Sequence, residues 1–272
     1  ADELVLVSTG ANDWLDSNGS AEPVEGGFRV TAVKPFASGS PAGDVLVTSA
    51  ARAGGGEVIH FPVPLSADGV RGLDDWQAFG MRGTGSQTLK LEDVFVPEDA
   101  VVLRRPQGPF HPAFAVILTV AMPIILSAYL GVAEKAAELA RDAASTGAED
   151  PATQTLAGQL ENRLVAARLA TGDMVRLANG YDFQPSLELA RDVLVRKTIA
   201  ANAVIAAGEK AMELAGGRGF MRKTGIARLV RDLHGAQFHP LPEARQHLFT
   251  GRVAFGLDPV TGDATDREAE AA

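Results

Sequence analysis

Gly216–Glu243 reads GGRGFMRKTGIARLVRDLHGAQFHPLPE: a glycine turn, a short basic helix and a proline-punctuated loop in succession. Gly216, Gly217 and Gly219 permit backbone conformations that residues with a Cβ resist. The helix is expected over Ile226–Gln237, and the loop behind it carries His239 and Glu243. In a chain without cysteine, this is where polar, titratable and conformationally special residues converge. Any chemistry is expected to be framed by this loop.

Upstream, the periodicity is helical over Ala113–Ala144, Pro151–Asn179 and Ser186–Ala215. Asn179-Gly180 and Gly216-Gly217 stop the second and third segments. A last helix is expected over Glu243–Gly256, and short connections between long helices favour an antiparallel bundle. The first hundred residues read as strands instead. Phe28–Val33 and Gln87–Val96 alternate, Asp44–Ser49 and Val58–Leu65 are apolar, and glycine-rich turns separate them. The fold class is therefore α+β: a small antiparallel β-barrel or sandwich over residues 1–105, then an antiparallel α-helical bundle over 106–257. The acidic, alanine-rich residues 258–272 are expected to be a disordered tail.

Composition narrows the function classes. Of 272 residues, 46% are apolar and 22% charged, as in an ordinary globular protein. The formal net charge is −9, of which residues 258–272 supply −4, so no nucleic-acid surface is expected. The absence of cysteine excludes disulfides and thiolate chemistry and suits a cytoplasmic protein. From Pro106 to Ala133 there is no Asp, Glu, Lys or Arg, and Ala113–Ala133 is long enough to cross a bilayer. Pro112, Pro123 and the lack of a flanking basic cluster favour a buried bundle helix, and no membrane partner is expected. His60, His111, His234 and His247 show no metal-ligand spacing, so no metal is expected, and no P-loop, GxSxG or GxGxxG occurs.

Three segments together resemble the acyl-CoA dehydrogenase superfamily of flavoproteins. The GGxGF turn at Gly216–Phe220 is followed by Arg231-Asp232 and by the loop from Phe238 to Glu243. Lys34-Pro35-Phe36-Ala37-Ser38 is similar to the family's strand K-x-W-I-(S/T), with Phe36 at the Trp position and Ser38 at the hydroxyl position. Gly80-Met81-Arg82-Gly83-Thr84-Gly85-Ser86, followed by Glu92-Asp93-Val94-Phe95-Val96-Pro97, is similar to the turn and strand that close the family's β domain. The resemblance implies a bound flavin, FAD or alternatively FMN or a diffusible reduced flavin. Phe36, Ala37, Ser38, Gly216, Gly217 and Phe238 would contact it. Arg82 is either a substrate contact or half of a structural ion pair. The partners implied are a small acyl-CoA or aromatic substrate and further copies of the chain in a homodimer or homotetramer. Members of the family begin with a further helical domain of roughly a hundred residues; this chain opens on Leu4-Val5-Leu6-Val7, so that lobe is expected to be lacking.

Departures from the family pattern bear on the reaction. Counted from Arg231-Asp232, the glutamate that abstracts the α-proton of an acyl thioester falls at Pro240, and its alternative place on the first bundle helix falls at Ala121. The R-x-x-F-G element that binds FAD of a neighbouring subunit is replaced by Ser145–Asp150. Beside the vacant base position stands His239. The family's monooxygenase branch, which uses reduced flavin and oxygen, carries a histidine there and a serine like Ser38. Glu243 is the nearest carboxylate that could replace the base, and it equally suits the first turn of the next helix. The expected function is a flavin-dependent oxidoreductase resembling acyl-CoA dehydrogenases. The alternatives are a reduced-flavin, oxygen-dependent monooxygenase using Ser38 and His239, and a non-catalytic truncated homologue.

Overall fold

The computed structural model describes residues 3–9, 13, 15 and 17–264. Eight strands form one sheet: β1 (Leu6–Ser8), β2 (Ser20–Val24), β3 (Gly27–Ala37), β4 (Val45–Arg52), β5 (Glu57–Pro64), β6 (Val70–Gly72), β7 (Gln87–Pro97) and β8 (Leu103–Pro106). Their order is β6-β7-β3-β2-β4-β5-β8, with β1 alongside β4. The sheet is mixed rather than purely antiparallel, because β1 and β2 both run parallel to β4. The alternation read in β3 is the packing rule of the sheet: Phe28, Val30, Ala32 and Lys34 point inward while Arg29, Thr31 and Val33 stay outside. Phe28, Val30, Leu46, Ile59, Phe61 and Leu91 form its core. Each contributes about 1.5–3 kcal/mol by burial.

Lys34 occupies one of these inward positions. Its ammonium is fully buried and donates to Asp13 Oδ1 at 2.6 Å, to the Ser49 carbonyl at 2.7 Å and to the Asn18 carbonyl. Burial lowers its pKa and the Asp13 charge opposes that shift. The lysine of the K-x-W-I-(S/T) pattern is thus a core residue of the sheet.

The helices are α1 (Ala113–Ala144), α2 (Pro151–Ala178), α3 (Leu187–Leu214), the single turn α4 (Gly217–Phe220), α5 (Ile226–Leu233) and α6 (Glu243–Ala254). Their ends follow local chemistry. The Asp150 carboxylate accepts from the Thr153 amide, Pro151 takes the first helical position of α2, and Asn179 ends it in the left-handed conformation. Ser186 caps α3 by accepting from the Leu189 amide. The stretch Ser145–Asp150 is a connecting turn and cap between α1 and α2. Helix α1 runs unbroken through Pro123 and buries Phe114, Leu118, Met122, Leu126, Tyr129 and Ala133 on one face. By length and composition alone it could cross a membrane, with 44% of its most apolar window buried.

The described residues divide into two compact units. One takes in the chain through Ala78, Arg82–His111 and the stretch from Gly256; the other takes in Phe79–Met81 and Pro112–Phe255. These limits differ from the sequence-drawn ones at three places, the first being that the sheet unit runs to His111 rather than to residue 105. Phe79–Met81 joins the helical unit because the Met81 amide donates to Asp232 Oδ1 at 2.6 Å. The acidic tail is folded as far as Ala264, because the Asp258 carboxylate accepts from the amides of Phe110, Val260 and Thr261 and a bridge joins Leu257 to Ala264. The rest of the expected tail, residues 265–272, lies outside the described residues.

Candidate active site

In the sheet unit the candidate residues cluster where β3 leaves its register. Lys34 pairs with Leu89 and Ala37 with Gln87, so β3 carries one extra residue against β7. A bulge of this kind re-aims side chains. Pro35 and Phe36 both face outward, and Phe36 is held at φ 59° with 57% of its surface exposed. A bulky residue at positive φ is strained and persists only where its surroundings impose it. Trp76 meets the Phe36 ring edge to face at 6.1 Å. Ala37 turns back into the core, so its side chain is closed to any ligand. Next to it, the exposed Ser38 hydroxyl is 2.7 Å from that of Ser86, which is 2.7 Å from that of Thr84. The Gly39 amide donates to the Thr84 carbonyl at 2.8 Å and locks the two turns together. An exposed aromatic face beside an oriented hydroxyl fits a planar isoalloxazine, which needs stacking on its face and a hydrogen bond at its edge.

The helical unit carries the second group. The Tyr129 hydroxyl, from α1, lies 2.9 Å from His239 Nε2, with the rings in edge contact at 5.3 Å. From α3, Lys197 is buried to 1% exposure and donates to the Leu241 carbonyl at 2.8 Å. Burial first, and the Lys197 charge second, push His239 down to about 4. Its imidazole is therefore neutral at pH 7. Burial, then the Asp232 charge, push the Tyr129 phenol up to about 12, so it stays protonated. Lys197 is lowered to about 8 by burial, against the pull of Glu243.

The other sequence-derived candidates fall in plainer settings. Gly216, at φ 58° and ψ −145°, makes the turn into α4, which Gly217 opens. A Cβ at either would meet nothing within 4 Å, which leaves their backbone open to approach. Phe238 is exposed at the end of the turn that precedes His239. Arg82 is exposed and forms no ion pair among the described residues, so the structural ion pair weighed for it is not made. Glu243 stands exposed in the first turn of α6, where it accepts from Asn202 at 3.1 Å. That setting matches a helix-start carboxylate rather than a buried base. Arg231-Asp232 serves through Asp232, which anchors Met81.

Tyr129, Lys197, Trp76 and Ser86 were not singled out by sequence reasoning, yet two of them carried a signal. Tyr129 is the only tyrosine on the charge-free stretch Pro106–Ala133. Lys197 stands at helical spacing from Ala190, Val193, Leu194 and Val204, on a face that is otherwise apolar.

Residues 118–239 match the family model of the acyl-CoA dehydrogenase C-terminal domain. Dibenzothiophene monooxygenase of Mycolicibacterium goodii is 27% identical over 87% of this chain and 67% of its own length. The structure of KijD3 in complex with FMN and a dTDP-linked amino sugar superposes with a TM-score of 0.79 at 24% identity, over 92% of this chain and 64% of that one. XiaF from Streptomyces sp., in complex with FADH2 and glycerol, superposes with a TM-score of 0.75 at 24% identity, over 93% of this chain and 69% of that one. At these identities the two solved structures establish the fold. The chain spans about two thirds of the length of the relatives it matches. Over residues 118–239 the chain is similar to the C-terminal domain of acyl-CoA dehydrogenases, and it shares the fold of these solved structures.

Proposed function

We propose that this chain is the oxygenase component of a reduced-flavin, oxygen-dependent monooxygenase acting on a small, largely aromatic substrate, rather than a thioester dehydrogenase. The observation that carries this reading is the Tyr129–His239 contact, beside a Pro240 that holds no carboxylate where the dehydrogenase base falls. The relatives' monooxygenase function supports the same choice. FAD is the expected cofactor, with FMN or diffusible reduced flavin as the alternative, since relatives of this fold are known with FMN and with FADH2.

Phe36 and Ser38 would hold the flavin, Phe36 by its exposed ring and Ser38 by a hydroxyl whose direction Ser86 and Thr84 fix. When bound, reduced flavin supplies the electrons that activate oxygen. His239 supplies the proton. With Tyr129 as the donor to Nε2, the proton of the neutral ring sits on Nδ1; as that proton passes to a reacting oxygen, the Tyr129 proton passes to Nε2 and the ring stays neutral. Tyr129 thereby fixes one tautomer. Tyr129→Phe is expected to lower oxygenated product per reduced flavin consumed by about tenfold, the worth of one lost hydrogen bond. Unchanged yield in that variant would remove Tyr129 from the scheme.

Homo-oligomerisation belongs to the same proposal. Ile124, Leu169, Val175 and Ile199 are exposed apolar residues on α1, α2 and α3, as a helical subunit interface would require. Light scattering of the purified chain tests it, with a monomer as the contrary result.

The deciding assay supplies chemically reduced FAD or FMN, labelled oxygen and dibenzothiophene as an aromatic probe, and compares acyl-CoA with an artificial electron acceptor. Label in the aromatic product supports the proposal. Enoyl-CoA formation without incorporation overturns it in favour of dehydrogenation.

A further inference from the structure

The lysine at position 197 is an expensive residue to bury, and nothing in the scheme above uses it. Taking an ammonium out of water is tolerated only where partners replace its hydration. Its nearest partner is the Leu241 carbonyl, 2.8 Å away and two residues past His239. Asn202, on the same helix α3, holds the far end of this loop through Glu243. From α1, Tyr129 holds the imidazole itself. The loop His239–Glu243 is therefore gripped at its ring, at its middle and at its end.

We propose that Lys197 is a positioning residue for His239: its buried ammonium holds the Leu241 carbonyl and so fixes the loop that presents the imidazole. The inference rests on the role given to His239 above. The electrostatics agree with the geometry. The groups acting on this cluster are Tyr129 from α1, Lys197 from α3, Asp232 from α5, whose charge reaches Tyr129, and Glu243 from α6, whose charge reaches Lys197. Lys197 alone is a cation acting on His239, and its charge opposes imidazolium formation. A leucine-like side chain at 197 would pack the apolar face of α3 equally well. It would neither hold the carbonyl nor add a charge that opposes imidazolium formation.

The test uses the full chain, isotopically labelled, with the His239 ring signals assigned by His239→Gln. Ring titrations from pH 3 to 9 compare wild type with Lys197→Met. The ring should titrate near pH 4 in wild type and about one pH unit higher in the variant. Turnover should fall about tenfold, with KM for the aromatic probe unchanged. A lysine serving stability alone would shift the melting temperature and leave the His239 titration where it was, which overturns the proposal. Should Lys197→Met fail to fold, wild type decides. The Leu241 carbonyl carbon signal should move through an inflection near pH 8 as Lys197 loses its proton. A flat signal there also overturns the proposal. The titrations need neither flavin nor substrate, so their failure is separable from a failure of the oxygenase assay.

Discussion

His239→Ala is expected to lower oxygenated product by about 10²–10⁴-fold, or about 2.7–5.4 kcal/mol of transition-state stabilisation, while flavin retention is unchanged. The basis is that His239 is tied both to a phenol and, through its loop, to a buried ammonium. Removing it takes away the proton donor and leaves Phe36, Ser38 and Ser86, in the sheet unit, as they are. The signature of the loss is uncoupling: reduced flavin is still consumed, with peroxide released in place of product. The pH profile supplies a second check. Burial and Lys197 hold the imidazole at about 4, so the neutral form required here persists to pH 5 and below. The acid limb of wild-type turnover should fall through pH 4, not through the 6.5 of a free histidine. The stability argument has the same sign. The folded value lies below the unfolded one, so the unfolded chain takes up more protons as pH drops, and stability is lost between pH 6.5 and 4. That slope should be shallower in His239→Ala. Full coupling in the variant, or a wild-type acid limb near 6.5, would refute the role.

How much of this was legible beforehand depended on whether the controlling interaction was local. Helix limits were legible because caps are local: Asp150-Pro151 and Ser186 set the starts of α2 and α3 by contacts three residues away. Alternation located β3 and β7, but the short strands β2, β6 and β8 carry too few residues for a pattern, and they exist because longer neighbours offer them pairing. The parallel pairing of β2 with β4 was not legible, since no local signal states which way two distant strands run. Of the candidate site, Phe36, Ser38 and His239 were selected by their place in family-like motifs. Their supports were not, because Ser86 touches Ser38 across 48 residues, Tyr129 touches His239 across 110, and Lys197 reaches the Leu241 carbonyl across 44. Buried polar side chains on apolar faces were the available clue. Lys34 and Lys197 both sit at positions whose periodicity calls for an apolar residue, and both turn out to be buried and hydrogen-bonded.

Gly80→Ala is expected to be the most destabilising single-methyl change in the motif Gly80–Ser86. A Cβ at Gly80 would lie 2.2 Å from the Arg231 carbonyl oxygen, 2.5 Å from its carbon and 2.8 Å from the Asp232 amide, all backbone atoms of α5 that cannot rotate away. The segment Phe79–Met81 must then leave the helix. Its departure breaks the 2.6 Å bond from the Met81 amide to the Asp232 carboxylate and the edge contact of Phe79 with His234. Overpacking of this kind costs about 1–3 kcal/mol, and a lost hydrogen bond to a charged group about 1.5–3 kcal/mol. Because one displacement causes both losses, they do not add in full, and about 2–4 kcal/mol is expected. For a chain of this size that lowers Tm by about 5–10 °C. The control lies three residues on. A Cβ at Gly83 meets nothing within 4 Å, so Gly83→Ala should stay within about 0.5 kcal/mol of wild type. Equal melting temperatures for the two variants would show that Gly80 does not approach α5 this closely, and that the glycine of the motif serves its turn alone.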